Sequence, residues 1–580
     1  MKENGIIDKT IAVLKETAII LLLFIAINVL VTSVLFICHV SISMVNIIVS
    51  TILTIIVTII RNKDRNKISL CISGVLSVII ILVTLFIASH TYDTTWDGNT
   101  YHKLAVGMLT DGWNPVYETA IEYIEKDSEK LGLMDDERNS IWIEHYPKAS
   151  WIFSANLYSV TGSIETSKII TMLMMYIAFA IILSYLNKKI NIIFAVLVGA
   201  LIAINPITMV QAFSYYIDGL MGLCIYIILC TLLDMTKIGK FEPNKELDNW
   251  IILAATLLVC INLKFTGLVY AGIFCFMFFV IWLIDAYKDG TIKENATKYV
   301  IYYVVVVLVS LCVVGFSSYV KNTINKGFPL YPLMGKNKVD IMTYNEPKSF
   351  PERGAIDKFF TSMFAVSENV KSNSTDKDPT LKIPFTIKKG EIGQFAKPDT
   401  RMAGFGVLFS GIFIITVISL GYLMFEMYKN KQIKEFWILT AFVLVTILLI
   451  LITDGSWWAR YVPYVYLYPL IAVVLFASKK GLLNKVAAGI ICSILIINVA
   501  IISYASCSHT LSEYRKTEKA FAKMELVNKS GNEAKISLRT GACVSLLYNV
   551  RDKGIDVKIV DQEELENKKY TNYFYYENKK

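Results

Sequence analysis

The chain has 580 residues, of which 55% are hydrophobic and 18% charged, and its mean hydropathy is +0.52. A soluble chain of this length divides into domains and rarely needs so much apolar surface, so these values favour a membrane protein over a soluble one. The formal net charge of +9 lies mainly in short loops, with no basic stripe on a soluble domain, so nucleic acid is not an expected partner.

Apolar runs of about 20 residues recur along the chain, the length needed to cross a bilayer core of about 30 Å. They predict an all-α polytopic membrane protein with about 13 transmembrane helices. The first run is too long for a signal-peptide core and has no small-residue cleavage site, so we interpret it as a retained helix. The expected spans are residues 17–40, 43–60, 69–89, 167–186, 190–210, 216–235, 249–263, 267–285, 299–319, 403–427, 435–453, 461–478 and 485–505.

Four short basic loops predict the orientation of these spans. Their sequences are RNKDRNK (61–67), NKK (187–189), KNKQIK (429–434) and KKGLLNK (479–485). Cytoplasmic loops carry an excess of Lys and Arg, and with a cytoplasmic N-terminus all four loops fall inside. An odd number of spans then places the C-terminus outside. We therefore expect a multi-pass protein of the plasma (cytoplasmic) membrane, embedded in the lipid bilayer, with its larger polar loops extracytoplasmic.

The polar regions divide the chain into two expected domains. A transmembrane domain over residues 1–506 carries outer loops at 90–166 and 320–401, and residues 507–580 form a small extracytoplasmic domain. In this tail, AKISLR (534–539) and DVKIV (556–560) predict short strands with a helix between them, so a small α/β unit is expected. Cys507 and Cys543 lie in this hydrophilic region and could pair if it is extracytoplasmic.

The first outer loop contains TWDGNTYHKLAVGMLTDGWNPVYE, residues 95–118. Apolar residues recur at helical spacing from Tyr101 onwards, which predicts one apolar helix face. Trp96 and Trp113 flank this segment, and such aromatics are typical of the headgroup level, so we expect a helix that lies along the outer membrane surface. Asp97 precedes the helix, and its position alone fits either a helix cap or a functional acid.

The same loop contains a longer pattern, Asp-x-x-x-Tyr-x-x-x-Ala-x-x-Met-Leu-x-x-Gly-Trp-x-Pro. It is met by Asp97, Tyr101, Ala105, Met108, Leu109, Gly112, Trp113 and Pro115. This pattern resembles the first outer loop of the GT-C superfamily, the polytopic glycosyltransferases that use polyprenyl-phosphate sugars. Bacterial aminoarabinose transferases and protein O-mannosyltransferases are familiar members. The acid that starts this loop is the catalytic base in that family, so the resemblance implies this role for Asp97. Many members have a second acid directly after it, where this chain has Gly98, and Asp93 could partly substitute for that acid.

Later segments resemble the same family in the same order, over most of residues 70–480. The segments are HYPKASWIFSANLYSVTG (145–162), SYYIDGLMGLCIY (214–226), NLKFTGLVY (262–270), GFPLYPL (327–333), RMAGFGVLFSG (401–411) and WARYVPYVYLYP (458–469).

The resemblance implies a set of site residues on the outer face. We expect Asp97 and Asp218 to be catalytic, Lys148, Lys264 and Arg460 to bind the donor phosphate, and Tyr101, Trp113 and His102 to bind the acceptor or position the loop. The guanidinium of Arg460 suits a phosphate through two parallel hydrogen bonds. Lys264 interrupts an apolar run and is costly in lipid unless it is paired. Snorkelling to the interface is the alternative for both cations, and a helix cap is the alternative for Asp218.

A divalent metal ion is a candidate cofactor. His90, His102 and His145 share the first outer loop, and His145 with Glu144 is the candidate metal pair. No tight ligand spacing supports such a site, and surface histidines are the alternative.

These observations predict an integral-membrane glycosyltransferase of GT-C type with a small extracytoplasmic α/β tail. It would transfer a sugar from a polyprenyl-phosphate donor to a glycan, lipid or protein acceptor on the outer face, a step of cell-envelope polysaccharide biosynthesis. A flippase or transporter of lipid-linked glycans, a polysaccharide polymerase or ligase, and a membrane scaffold are the alternatives. The sequence contains no nucleotide-binding loop and no internal repeat, which disfavours a transporter.

Overall fold

A computed structural model describes residues 2–63, 66–131, 137–236, 243–288, 290, 292–370, 378–539, 544–571 and 574–577. Helices dominate it. The α-helices are α1 (Lys2–Ile37), α2 (Met44–Arg61), α3 (Lys67–Ser89), α4 (Lys103–Thr110), α5 (Ala120–Leu131), α6 (Glu137–His145), α7 (Ala149–Thr161), α8 (Ile170–Leu186), α9 (Ile192–Ala203), α10 (Pro206–Gln211), α11 (Asp218–Met235), α12 (Pro243–Ile261), α13 (Phe265–Lys288), α14 (Ile292–Leu308), α15 (Lys321–Lys326), α16 (Ala355–Met363), α17 (Glu391–Gln394), α18 (Phe409–Lys429), α19 (Ile433–Ile452), α20 (Leu467–Ser478), α21 (Leu482–Lys529) and α22 (Leu546–Asp552). The strands are β1 (Ala534–Leu538), β2 (Val557–Ile559), β3 (Lys569–Tyr570) and β4 (Phe574–Tyr576).

Ten helices among the described residues are long and apolar enough to cross a membrane. They include α1, α2, α3, α8, α11, α13, α18, α19, most of α14 and the first part of α21. A polytopic, mostly helical membrane protein is therefore confirmed. The other three expected spans coincide with shorter apolar helices at Ile192–Ala203, Leu247–Ile261 and Pro463–Ser478, so the count of about 13 stays a prediction.

The spans differ in how far the rest of the protein covers them. The apolar window of α11 is 89% buried and that of α8 is 78% buried, whereas the window of α3 is only 17% buried. The helices α8 and α11 therefore form the centre of the bundle, and α3 presents an apolar face to lipid. Polar side chains help to join the inner helices, as Asn156 of α7 donates to Asn28 Oδ1 of α1 at 3.1 Å.

The helix that follows Asp97, α4, is covered by protein on all its residues from Lys103 to Leu109, whereas a helix exposed to headgroups on one side was expected. One side of α4 packs on α7, and Gly107 on another side lies against Tyr548 of α22. The apolar periodicity revealed one buried face, but Gly107 allows a second face to be covered. Trp113 is buried as well, whereas Trp96 remains exposed.

The tail begins as an extension of the last membrane helix. The 48-residue helix α21 runs without a break through residue 507, and the first strand begins at Ala534. The strand order is β2-β1-β4-β3, with β1 and β2 parallel and both β1–β4 and β3–β4 antiparallel. β1, α22 and β2 lie where the sequence predicts them, whereas the β3–β4 hairpin was not expected. Cys543 lies outside the described residues, so its pairing with Cys507 stays a prediction.

Candidate active site

Four of the predicted site residues, from distant parts of the chain, meet in one group. Asp97 directly precedes a π-helical turn at Gly98–His102, and Asp218 is the first residue of α11. Lys264 lies in the connection between α12 and α13, and Arg460 lies in a 3-10 turn at Ala459–Tyr461. Each residue is therefore at the end of a helix or in a turn, and their contacts place them on one side of the bundle. We call these four residues the ion cluster.

Arg460 holds the ion cluster together. Its Nη1 donates to Asp97 Oδ2 at 3.3 Å and lies 3.6 Å from Asp218 Oδ2. Lys264 Nζ donates to the other oxygen of Asp218 at 2.7 Å. Two cations thus face two carboxylates, and no charge of the four is left uncompensated, as burial requires.

Asp97 is the most accessible member of the ion cluster. Its side chain is 24% exposed, whereas those of Asp218 and Arg460 are 3% and 10% exposed. The backbone of Asp97 is already helical, and its carboxylate makes no helix-capping hydrogen bond. Asp97 is therefore an open carboxylate beside a buried cation rather than a cap. Lys264 and Arg460 are also buried in ion pairs, so neither side chain snorkels to an interface.

The charges in the ion cluster shift one another's ionisation. Burial raises the pKa of Asp97, and the positive charge of Arg460 opposes this rise. Burial alone would lower the pKa of Lys264, but the Asp218 carboxylate outweighs it and the net pKa is raised. Asp97 therefore combines the raised proton affinity that a general base needs with a partner that favours its ionised form.

Aromatic rings surround the cations. The guanidinium carbon of Arg460 lies 3.9 Å from the Trp458 ring centroid, and Lys264 Nζ lies 4.4 Å from that of Tyr461. Arg401 lies on the same indole, 4.6 Å from its centroid, and donates to Asn345 Oδ1 at 2.8 Å. The sequence interpretation did not include Arg401, Trp458 or Tyr461 among the site residues. The adjacent aromatics in the WWARY segment, residues 457–461, were the signal available.

Two buried N–H groups beside the ion cluster have no hydrogen-bond partner within the described part of the chain. They are Nε of Arg460 and Nε1 of Trp458. Buried donors are nearly always paired, so unpaired ones need an explanation. Both belong to groups that stack on each other, since the guanidinium of Arg460 lies over the indole of Trp458.

The structure leaves no room for a side chain at Gly98, directly after Asp97. A Cβ atom on Gly98 would lie 2.1 Å from Asp93 Oδ2, so the Asp93 carboxylate fills the space that a side chain would need. Asp93 is buried, and its Oδ2 accepts from the Tyr215 amide at 2.8 Å. Asp93 therefore anchors the start of the loop and does not open towards a ligand.

Lys148 and Trp113 lie apart from the ion cluster. Lys148 Nζ donates to the carbonyl oxygens of Glu144 at 2.8 Å and Tyr146 at 2.9 Å. Burial lowers the pKa of Lys148 to about 7. Trp113 is buried with its ring 5.8 Å from Lys148 Nζ. These contacts fit a role in holding the loop together better than direct binding of a phosphate.

Tyr101 and His102 belong to the π-helical turn that directly follows Asp97. Tyr101 packs edge-on against Tyr146, with ring centroids 6.1 Å apart. His102 Nδ1 accepts from Trp151 Nε1 at 2.7 Å, and burial lowers the pKa of His102 to about 3. His102 is therefore neutral near pH 7, and its contacts agree with the loop-positioning role expected for it.

The expected metal pair is occupied by other contacts. His145 Nδ1 lies 2.7 Å from Asn322 Oδ1, and Glu144 Oε2 accepts from the Ala120 amide at 2.7 Å. Among the described residues, no group of three or more His, Cys, Asp or Glu side chains could hold a metal ion. A divalent cofactor stays a prediction without a ligand set.

The tail contacts the first outer loop through buried polar groups. Lys103 Nζ donates to Glu165 Oε1 at 2.8 Å and to Asn549 Oδ1 at 3.1 Å. Asn549 in turn donates to Glu165 Oε1 at 2.9 Å, and Lys168 pairs with the other oxygen of Glu165. Ser545 reaches Asn99, two residues after Asp97, at 3.4 Å. The helix α22 is thus part of the support for the loop that carries Asp97.

A scan of protein-family models found no match to this chain, and searches of curated proteins and of solved structures found none either.

Proposed function

We propose that this protein is an integral-membrane glycosyltransferase that moves a sugar from a polyprenyl-phosphate donor to a glycan, lipid or protein acceptor, with Asp97 as general base. The observation that carries the proposal is the ion cluster. An accessible carboxylate with a raised pKa stands beside two cations at the ends of membrane helices. Buried ionisable groups at the ends of membrane helices are costly, so a cluster of them marks a candidate functional site.

The proton step falls to Asp97. An acceptor hydroxyl attacks the anomeric carbon of the donor, a new C–O bond forms, and the hydroxyl proton passes to a carboxylate oxygen of Asp97. Asp97 must be ionised for this step, and Arg460 favours that form. Asp218 is buried and bound to Lys264, so its role is to hold both cations in place.

The leaving group is a lipid phosphate, whose bond to the anomeric carbon breaks as the acceptor attacks. Its charge needs donors that are already in position. Arg460 Nε and Trp458 Nε1 are unpaired in the described structure, and both lie beside the ion cluster. We assign them, with Lys264, to the donor phosphate.

The test measures polyprenyl phosphate, the product common to every sugar donor of this class. The purified full-length protein in lipid nanodiscs is given a panel of polyprenyl-phosphate hexoses and pentoses, together with a cell-envelope extract as the acceptor source. We expect polyprenyl phosphate to appear with at least one sugar. Asp97→Asn should lower the rate about 100-fold or more, because general-base catalysis contributes about 10²–10⁴-fold.

Glu118→Gln is the matched control. Glu118 lies in the same loop, and its side chain is 22% exposed against 24% for Asp97, yet its partner is the exposed Lys126. Its replacement should leave most of the activity. If Arg460→Ala abolished the product while Asp97→Asn kept it, the base assignment would be wrong and a polymerase or ligase would be favoured. Translocation of a lipid-linked glycan that Asp97→Asn leaves intact, with no donor cleavage, would favour a flippase.

A further inference from the structure

The second outer region contains a short apolar loop that no other part of the described chain covers. Over residues 381–387, which we call the apolar tip, Leu381 is 63% exposed, Ile383 72% and Ile387 45%. Aliphatic side chains scattered singly on a surface are ordinary, but a cluster of them at one loop marks a contact site.

The base of the apolar tip is fixed by buried charges. Lys382 Nζ donates to Glu391 Oε1 at 2.5 Å and to the Val407 carbonyl at 2.8 Å, and both charged side chains are almost fully buried. Glu391 also accepts from the amides of Ser367 and Lys388. These buried contacts fix the base of the loop, and the apolar side chains of the tip remain exposed.

Phe385, in the middle of the apolar tip, has an unusual backbone. Its φ is +66°, a left-handed conformation that bulky residues rarely adopt. Its ring lies against Gly411, the third residue of α18, so closely that a Cβ on Gly411 would lie 2.4 Å from it. A strained conformation persists when the surroundings fix it, and this one holds the apolar tip against a membrane helix.

The contact with α18 sets the depth of the apolar tip. The 21 residues of α18 span about 32 Å at 1.5 Å per residue, close to the thickness of the hydrocarbon core. Gly411 is therefore at the edge of the hydrocarbon core, and so is the apolar tip. Lys429, at the other end of α18, belongs to a basic loop.

The amphipathic helix α16 extends the same surface. Phe360 lies 6.2 Å and Phe364 lies 6.5 Å from Phe413 of α18, between ring centroids. Ile356 lies one helical turn before Phe360 on the same side of α16 and is 39% exposed, and Phe360 is 43% exposed. The apolar tip and α16 thus continue the lipid-facing surface of α18, where Val417 and Ile418 are exposed.

The charge at the end of the apolar tip indicates what this surface binds. Lys388 and Lys389 follow it directly and are both exposed. Apolar side chains beside exposed lysines are the arrangement by which peripheral segments bind anionic membranes. A soluble protein partner would not require the contact surface to begin at the hydrocarbon edge.

We propose that the apolar tip and the exposed face of α16 insert into the lipid leaflet on the side of the ion cluster. Leu381, Ile383 and Ile387 contact acyl chains, and Lys388 and Lys389 contact anionic headgroups. The apolar tip is linked to the ion cluster through one segment of the chain. Lys382 donates to the Val407 carbonyl, and Arg401, six residues before Val407, lies on the Trp458 ring beside the ion cluster.

The experiment places an environment-sensitive fluorescent amino acid at Ile383 by stop-codon suppression in the full chain. Leu526 of α21, which is 64% exposed, is the matched control position. It lies 24 residues beyond the buried Ile502, about 36 Å along the helix. The protein is reconstituted in nanodiscs of zwitterionic and anionic phospholipid, some of which carry a nitroxide near the top of an acyl chain.

We expect strong nitroxide quenching and a blue-shifted emission at position 383, and little of either at position 526. A second label at Leu381 should behave like the label at Ile383. Equal quenching at 383 and 526, or none at 383 and 381, would overturn the proposal. A blue shift at 383 that depends on protein concentration in detergent, without quenching by lipid, would identify a second copy of the chain as the occupant and would also overturn it.

Discussion

At the scale of single residues, the pKa of the Asp97 carboxylate is set by opposing influences. Burial raises the pKa of Asp97, Arg460 lowers it, and Asp399 raises it further. Asp97 must be deprotonated to act as a base, so activity is expected to fall on acidification at a pH above the ordinary aspartate value of 3.8.

This balance predicts the effect of Asp399→Asn. Removal of that negative charge removes one influence that raises the pKa of Asp97, so the acid limb of the activity profile should move to lower pH. The measurement is kcat/KM for donor cleavage against pH, since this ratio reports the free enzyme. Glu118→Gln serves again as control and should leave the limb in place. A limb that moved to higher pH in Asp399→Asn would contradict the assignment of the titrating group.

At the scale of elements, the contact between α4 and α22 joins the tail to the loop that carries Asp97. A Cβ on Gly107 would lie 2.1 Å from the Tyr548 ring, so only glycine allows the present distance. Asn549 of the tail joins the same contact, because its side chain accepts a hydrogen bond from Lys103 and donates one to Glu165. The loop that carries Asp97 and the tail are therefore expected to lose order together.

This contact predicts a compensating pair of substitutions. Gly107→Ala should destabilise the protein by about 1–3 kcal/mol through overpacking. Tyr548→Ala should destabilise it by about 3 kcal/mol through a cavity. The double variant should lose clearly less than the sum, because the smaller side chain makes room for the methyl group.

The measurement is the thermal unfolding midpoint in detergent, with hydrogen exchange of residues 93–110 as a local readout. Gly74→Ala is the matched control. Gly74 is also helical, and apart from its chain neighbours and the nearby backbone of its own helix, no atom of the described residues lies within 4 Å of the position that its methyl group would take. Strict additivity of the two losses would show that the methyl group and the Tyr548 ring do not compete for the same space. Unchanged exchange of residues 93–110 in Tyr548→Ala would show that the α4–α22 contact contributes nothing to loop order.

At the scale of the whole molecule, contacts within the ion cluster restrict the topology. Asp97 and Asp218 both approach Arg460, so they share one side of the membrane. The chain between two residues on one side must cross the membrane an even number of times. If α8 crosses between Asp97 and Asp218, α9 must therefore cross as well. The same parity applies to α11 and α12, because Lys264 touches Asp218. It also applies to α20 and α21, because the tail touches the first outer loop. We therefore expect the three shorter helices to cross, as a total of about 13 spans requires.

Cysteine labelling tests this topology. In a Cys38→Ser, Cys507→Ser, Cys543→Ser background, which removes two exposed cysteines and the remaining cysteine of the expected extracytoplasmic tail, Lys389→Cys should react with a membrane-impermeant maleimide added outside cells. Lys188→Cys and Lys480→Cys should react only after the membrane is opened. Labelling of Lys480→Cys from outside would show that α20 does not cross. The orientation would be reversed if Lys389→Cys alone were protected.

Much of the fold followed from local sequence. An apolar run long enough to span a bilayer must be helical, because lipid offers no partner for backbone N–H and C=O groups. The spans, the short tail strands and the start of the site loop at Asp97 were therefore predictable from the chain. The burial of α4 was not, because periodicity identifies an apolar face but not a glycine that admits a second neighbour.

The sequence by itself determined that this is a helical membrane protein with ionisable residues at the ends of its spans. Only the tertiary structure decided that Arg460 meets Asp97 across 363 positions of the chain. It also decided that Lys103 meets Asn549 across 446 positions, and that Lys148 lies outside the ion cluster. Hydropathy is a local property that can be followed residue by residue. Which charges meet depends on how helices pack around one another, and a buried charge is tolerated only where that packing supplies its partner.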